Sequence, residues 1–143
     1  MSFRRIALAM CACAAALSAG PLACGPREPR RLETKAFTQD FAMRISWDPT
    51  PPYAREPIIV RLVVRDKKTG EPIENGEGRA FANNAGGQDT WDVFVPSPES
   101  GTYTAKLSFL TAGEWALGIQ FRRDSTSRLQ RPEDIRLSVR GER

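Results

Sequence analysis

From Phe37 onward, apolar and polar residues trade places every second position along most of the chain. Tyr103, Ala105, Leu107 and Phe109 are separated by Thr104, Lys106 and Ser108. After a break at residues 110–113 the rhythm returns as Trp115, Leu117, Ile119 and Phe121 against Ala116, Gly118 and Gln120. Alternation of this kind gives a strand one buried and one wetted face. Both runs open alike, on Gly101-Thr-Tyr103 and Gly113-Glu-Trp115. The glycine frees the backbone to turn, and the aromatic two residues later plugs the end of a core.

The same reading predicts strands elsewhere. Phe41, Met43, Ile45 and Trp47 make the first, and residues 48–52 (DPTPP) end it, because proline cannot donate to a ladder. Ile58, Val60, Leu62 and Val64 make the second, with Ile59, Arg61, Val63 and Arg65 on its other face and a turn at residues 66–70. A weak third strand falls around residues 78–83, with Phe81 its best buried candidate. A polar, glycine-rich segment at 83–92 reads as a mobile loop. Trp91, Val93 and Val95 form a fourth strand. The two organising runs are the fifth and sixth, and Ile135, Leu137 and Val139 the seventh.

No stretch carries a sustained 3.6-residue apolar stripe, so the fold class is all-β. Seven short strands between Pro/Gly turns suggest an immunoglobulin-like β-sandwich over residues 37–143. Tyr103 fits the tyrosine-corner idea by its surroundings. Strand counting instead puts Trp115 on the strand where the corner normally sits, and an indole offers no hydroxyl.

The N-terminus adds an address. Arg4 and Arg5 precede an apolar run at residues 6–19, shorter than the span of about 20 residues a membrane helix needs. Residues 1–23 therefore read as a signal peptide. Cys24, behind a small residue at the end of that run, resembles the lipobox cysteine of bacterial lipoproteins, whose thiol is acylated to become the new N-terminus. Pro21 stands where such boxes carry Leu, with Leu22 next. Cys13 is a second candidate, but it leaves a very short apolar run. Residues 24–36, charged and proline-bearing, read as the lipidated tether. The expected location is the bacterial cell envelope, on the extracytoplasmic side. Gly25, rather than Asp, favours the outer membrane if the cell has two.

Processing changes the chemistry on offer. Cys11 and Cys13 leave with the leader and Cys24 takes the lipid, so no thiol remains for disulfide, redox or metal work. The mature balance is nineteen Lys/Arg against seventeen Asp/Glu, a net +2, with no basic stripe and no nucleic-acid signature. The chain has no histidine, which removes the usual general base and any Ser/His/Asp or Cys/His arrangement. An enzyme is not expected, nor a cofactor. Asn83, Asn84, Asp89 and Asp92 offer oxygens for a hard cation such as Ca²⁺, at a spacing that matches no recognised calcium loop.

The second strand ending at Asp66 and Gly70, followed by Pro72-Ile73, then Gly101-Thr-Tyr103 and Gly113-Glu-Trp115, resembles the YtkA-like/FixH family over residues 37–139. The resemblance implies a small extracytoplasmic β-sandwich tethered to a bacterial membrane. Several such proteins are associated with copper handling or oxidase assembly. Copper-handling relatives carry His and Met at one end of the sandwich, whereas here His is absent and Met43 sits at a buried strand position, so no copper site is assigned.

The expected function is non-catalytic docking of a membrane or periplasmic protein. The alternatives are a module for a small molecule or sugar, and a degenerate relative of metal-trafficking proteins. The outward residues Thr104, Lys106, Ser108, Ala116, Gly118 and Gln120 are small, with Ile59 and Val63 as an added apolar patch. Trp91, Lys106, Gln120, Arg122 and Arg123 are the candidate contact residues.

Overall fold

The computed structural model describes residues 32–143. Residues 1–31, with the leader, Cys24 and most of the tether, lie outside the described residues. Nine strands are present among the described residues: β1 (Thr34–Phe37), β2 (Phe41–Asp48), β3 (Pro57–Asp66), β4 (Glu77–Asn84), β5 (Asp89–Val93), β6 (Val95–Pro96), β7 (Thr102–Ser108), β8 (Gly113–Arg122) and β9 (Ile135–Val139). They form two antiparallel sheets, one ordered β1-β2-β3-β7-β6 and the other β5-β4-β8-β9.

The inward residues of both sheets meet in one core, which makes the fold β-sandwich-like. Met43, Ile45, Val60, Leu62 and Leu107 come from the five-stranded sheet. Ala80, Ala82, Trp115, Leu117, Ile119 and Leu137 come from the other. Phe121 ties the layers together, edge-on to Phe41 at 5.4 Å and to Tyr103 at 5.1 Å between ring centres. Edge-to-face contact suits the ring quadrupoles and contributes about 0.5–1.5 kcal/mol beyond area burial.

Several expectations change. Seven strands become nine, partly because β1 opens at Thr34, inside the stretch expected as tether. The expected fourth strand also divides. Phe94 turns inward, 7% exposed, and its N–H donates to Gly78 O at 2.9 Å, so the chain leaves one sheet as β5 and joins the other as β6. Trp91, Val93 and Val95 are consequently exposed rather than inward.

The buried phase of β4 also differs from expectation. Ala80 and Ala82 face the core and Phe81 faces out. The interior already holds Trp115 and Phe121 from the neighbouring strand β8 and Tyr103 from the opposing sheet, and the opposite phase would bury Arg79 and Asn83 beside Phe81. The segment read as a mobile loop is instead the β4–β5 hairpin. Asn83 pairs with Asp89, and the Asn84 side chain accepts from Gln88 N at 3.0 Å.

The two organising strands carry the buried phase that the pattern predicted. β7 lies in one sheet and β8 in the other. Gly101 and Gly113 have φ of 64° and 125°, and Tyr103 and Trp115 are buried at the strand entries. Only Tyr103 acts as a corner: its hydroxyl donates to Ile73 O at 2.6 Å and accepts from Gly76 N at 2.9 Å. It thereby pins the crossover from β3 to β4. Trp115 is core, with its indole N–H donating to Thr111 O at 3.1 Å.

Candidate functional site

Because β7 and β8 belong to different sheets, the outward set read from sequence divides between two faces on opposite sides of the molecule. Thr104, Lys106 and Ser108 stand on the five-stranded sheet, and Ala116, Gly118 and Gln120 on the four-stranded one. Ile59 pairs with Lys106 and is 45% exposed, so it joins the first face. Val63 is buried despite pointing outward.

The face of the four-stranded sheet is built on Gly118. A Cβ there would meet the Phe81 ring at 2.3 Å, so the ring lies directly against the strand. The Arg131 guanidinium sits 4.7 Å from the ring centre, held by three hydrogen bonds to Asp134 at 3.2, 2.8 and 2.7 Å. Arg79 approaches the same ring at 5.7 Å and donates through Nε to Gln120 at 2.9 Å. A cation over an aromatic face is attracted to the ring's negative quadrupole. Trp91 pairs with Phe81 across β4 and β5 and is 60% exposed, with Val93 beside Arg79. An aromatic, aliphatic and arginine surface results.

The five-stranded sheet presents a different face. Lys35, Phe37, Ala42, Met43, Arg44, Val63 and Arg65 enclose a groove of about 240 Å³. Val63 forms its apolar floor, and cations stand at its rim.

The sequence candidates are dispersed. Trp91 and Gln120 share the four-stranded face, whereas Lys106 is on the other. Arg122 is committed to Glu77 at 2.7 and 3.0 Å. Arg123 holds Asp66 at 2.6 Å. The backbone N–H groups of Thr69 and Lys68, followed by that guanidinium, lower the Asp66 carboxyl from 3.8 to about 2. Clefts of about 440 Å³ between β1 and residues 132–135, and of about 410 Å³ beside Asn83 and Asn84, contain none of the five.

The calcium candidates do not converge. Asp89 and Asp92 alternate to opposite faces of β5. Both Asp92 oxygens accept backbone N–H groups, Oδ1 from Val93 at 2.9 Å and Oδ2 from Lys106 at 2.8 Å. Among the described residues no group of three or more His, Cys, Asp or Glu is placed to hold a metal.

Phe81, read from sequence as a buried residue, and Arg79 and Arg131 were not among the contact candidates. The available signal was Gly118, since a glycine inside a strand marks a place where a neighbouring side chain lies down on the backbone. The groove over Val63 left a fainter trace, in the alternation of Arg61 and Arg65 with Ile59 and Val63. Among the described residues no helix is long and apolar enough to cross a membrane. No family model matches the chain, and neither do the curated proteins or the solved structures give a match.

Proposed function

We propose that this chain is a non-catalytic lipoprotein of the bacterial cell envelope, anchored through Cys24, which docks a membrane or periplasmic protein through the outer face of its four-stranded sheet. The observation that carries this reading is the exposed Trp91 and Val93 beside the Phe81–Arg131 stack. Aromatic and arginine side chains dominate binding energy in protein interfaces, and a flat glycine-bearing strand admits close approach. The absence of histidine from the sequence supports a role without acid–base chemistry.

The connectivity supports an immunoglobulin-like topology. Taking β2, β3, β4, β5, β6, β7, β8 and β9 as A, B, C, C′, D, E, F and G gives A-B-E-D in one sheet and C′-C-F-G in the other, with β1 as an added edge. The likeness of the strand entries to the YtkA-like/FixH family fits such a module, in a form without that family's metal ligands. A small-molecule or sugar site rests on Trp91 alone, because Arg122 and Arg123 are held by carboxylates.

The test is photo-crosslinking in intact envelopes from position 91, compared with position 106 on the opposite sheet. A discrete adduct from 91 that Arg131→Ala weakens is the expected result. Equal labelling from both positions overturns the docking assignment.

A further inference from the structure

We infer that the outer face of the five-stranded sheet, around Phe37, rests on an anionic lipid surface, with the Lys35, Arg44, Arg65 and Lys67 side chains among the headgroups. The inference deepens the proposed function by giving the second face of the module its own partner, the membrane to which Cys24 would tether it.

Phe37 is 59% exposed on an edge strand, too apolar a position to be explained by the core. It borders the groove whose floor is Val63 and whose rim carries Lys35, Arg44 and Arg65. Long cationic side chains that flank apolar surface while their heads reach outward suit the boundary between acyl chains and phosphates. Lys67 extends the cationic ring, its Nζ donating to Thr38 O at 3.1 Å, next to Phe37.

Charge complementarity selects the occupant. Of the nearby carboxylates, Asp66 is held by Arg123 and Glu33 lies 3.6 Å from Arg44, while Asp40, which accepts from the neutral Gln130 side chain, keeps its charge. Arg65 donates to a carbonyl, Gly70 O at 2.9 Å, and so keeps its full charge. The result is a net positive face around one protruding ring, four cations against Glu33 and Asp40, with Lys35, Arg65 and Lys67 in no ion pair among the described residues. Position agrees, since β1 is where the chain enters the domain from the cysteine side, ten residues beyond Cys24. Each Lys or Arg near an anionic bilayer strengthens association by about fivefold at physiological salt, an attraction that dies away within a Debye length.

The experiment uses the full chain carrying Phe37→Trp, added to vesicles of phosphatidylcholine alone or with phosphatidylglycerol, each containing brominated lipid to quench nearby indoles. The expected result is quenching of the new indole only on anionic vesicles, its reversal at high salt, and about 25-fold weaker association for Lys35→Gln/Arg65→Gln. These substitutions change exposed side chains on a paired sheet, and circular dichroism verifies the fold. Equal quenching on neutral vesicles, or none on either, overturns the inference. So does quenching of Trp91 on the opposite sheet in place of position 37. An emission shift that grows with protein concentration in the absence of lipid overturns it in favour of a second copy of the chain. Anchoring is scored separately, as retention of the acylated chain on neutral vesicles. Its failure removes the Cys24 anchor from the proposed function, while the quenching at position 37 still decides the face.

Discussion

Replacing Tyr103 by Phe removes one oxygen from the interior and leaves the ring, its contact with Phe121 and its pairing opposite Leu62 in place. That oxygen has two partners, Ile73 O and Gly76 N, both in the segment that carries the chain from one sheet to the other. Burial raises the phenol's pKa, so the hydroxyl remains a donor well into alkaline solution. The surroundings of that oxygen are closely packed, since a Cβ on Gly76 would meet the Phe121 ring at 2.1 Å. A buried donor or acceptor left unpaired costs about 1–3 kcal/mol, and the carbonyl, with its second lone pair, sits at the low end. The expected loss is about 2–4 kcal/mol, equivalent to a fall in Tm of about 8–15 °C for a domain of this size. Urea unfolding should show a lower midpoint with an unchanged m value, since the surface exposed on unfolding is the same. Tyr53→Phe serves as the control, with an expected change under about 0.5 kcal/mol. A Tyr103→Phe protein that melts within about 2 °C of the parent refutes the corner's role in holding the two sheets together.

Three further outcomes follow from the geometry. Gly101→Ala places a Cβ 2.8 Å from Val64 O and from Pro72 at a φ of 64°, and should lower stability by more than about 1 kcal/mol in denaturant melts. Asp92→Ala frees the Lys106 and Val93 N–H groups at adjacent sheet edges. It should cost about 1–2 kcal/mol by thermal melt and yield concentration-dependent oligomers by light scattering. Asp66, whose carboxyl is lowered from 3.8 to about 2 by the Thr69 and Lys68 N–H groups and the Arg123 guanidinium, contributes stability above pH 4 that disappears as pH falls through about 2. Asp66→Asn should therefore flatten the parent's stability–pH slope in that window, as read by acid titration of circular dichroism.

Much of the architecture was legible because it rests on period-two patterning that only a half-buried strand produces. Ile135–Val139 is a strand over the residues that alternate, and Met43 and Trp115 are as buried as their phase required. The misreadings arose where pattern and packing disagree. Phe81 is the largest apolar residue of its strand, yet Ala80 and Ala82 take the core phase, because the opposite phase would carry Arg79 and Asn83 inward along with the ring. Trp91, Val93 and Val95 alternate like a buried strand, but one intervening residue, Phe94, carries the chain between sheets and turns the other three outward. The candidate site was less legible still. Which outward residues share a face depends on sheet membership, and local alternation does not encode it. Lys106 and Gln120 looked like neighbours and stand on opposite sides. Arg122 and Arg123 looked available, while their partners Glu77 and Asp66 lie far away in the chain.

The assignment of β7 and β8 to different sheets has a consequence for how the molecule comes into being. β3 needs β7 along one flank, and β4 needs β8 along one of its own. Neither half of the core can close until residues near the far end of the chain are present. A nascent polypeptide emerging from its N-terminus would hold only the β1–β2–β3 meander and the β4–β5 hairpin, each with one oily side uncovered. Distant pairings of this sort fold slowly compared with local ones. Such delay leaves the apolar sides of these early pieces in water until the C-terminal strands arrive to cover them.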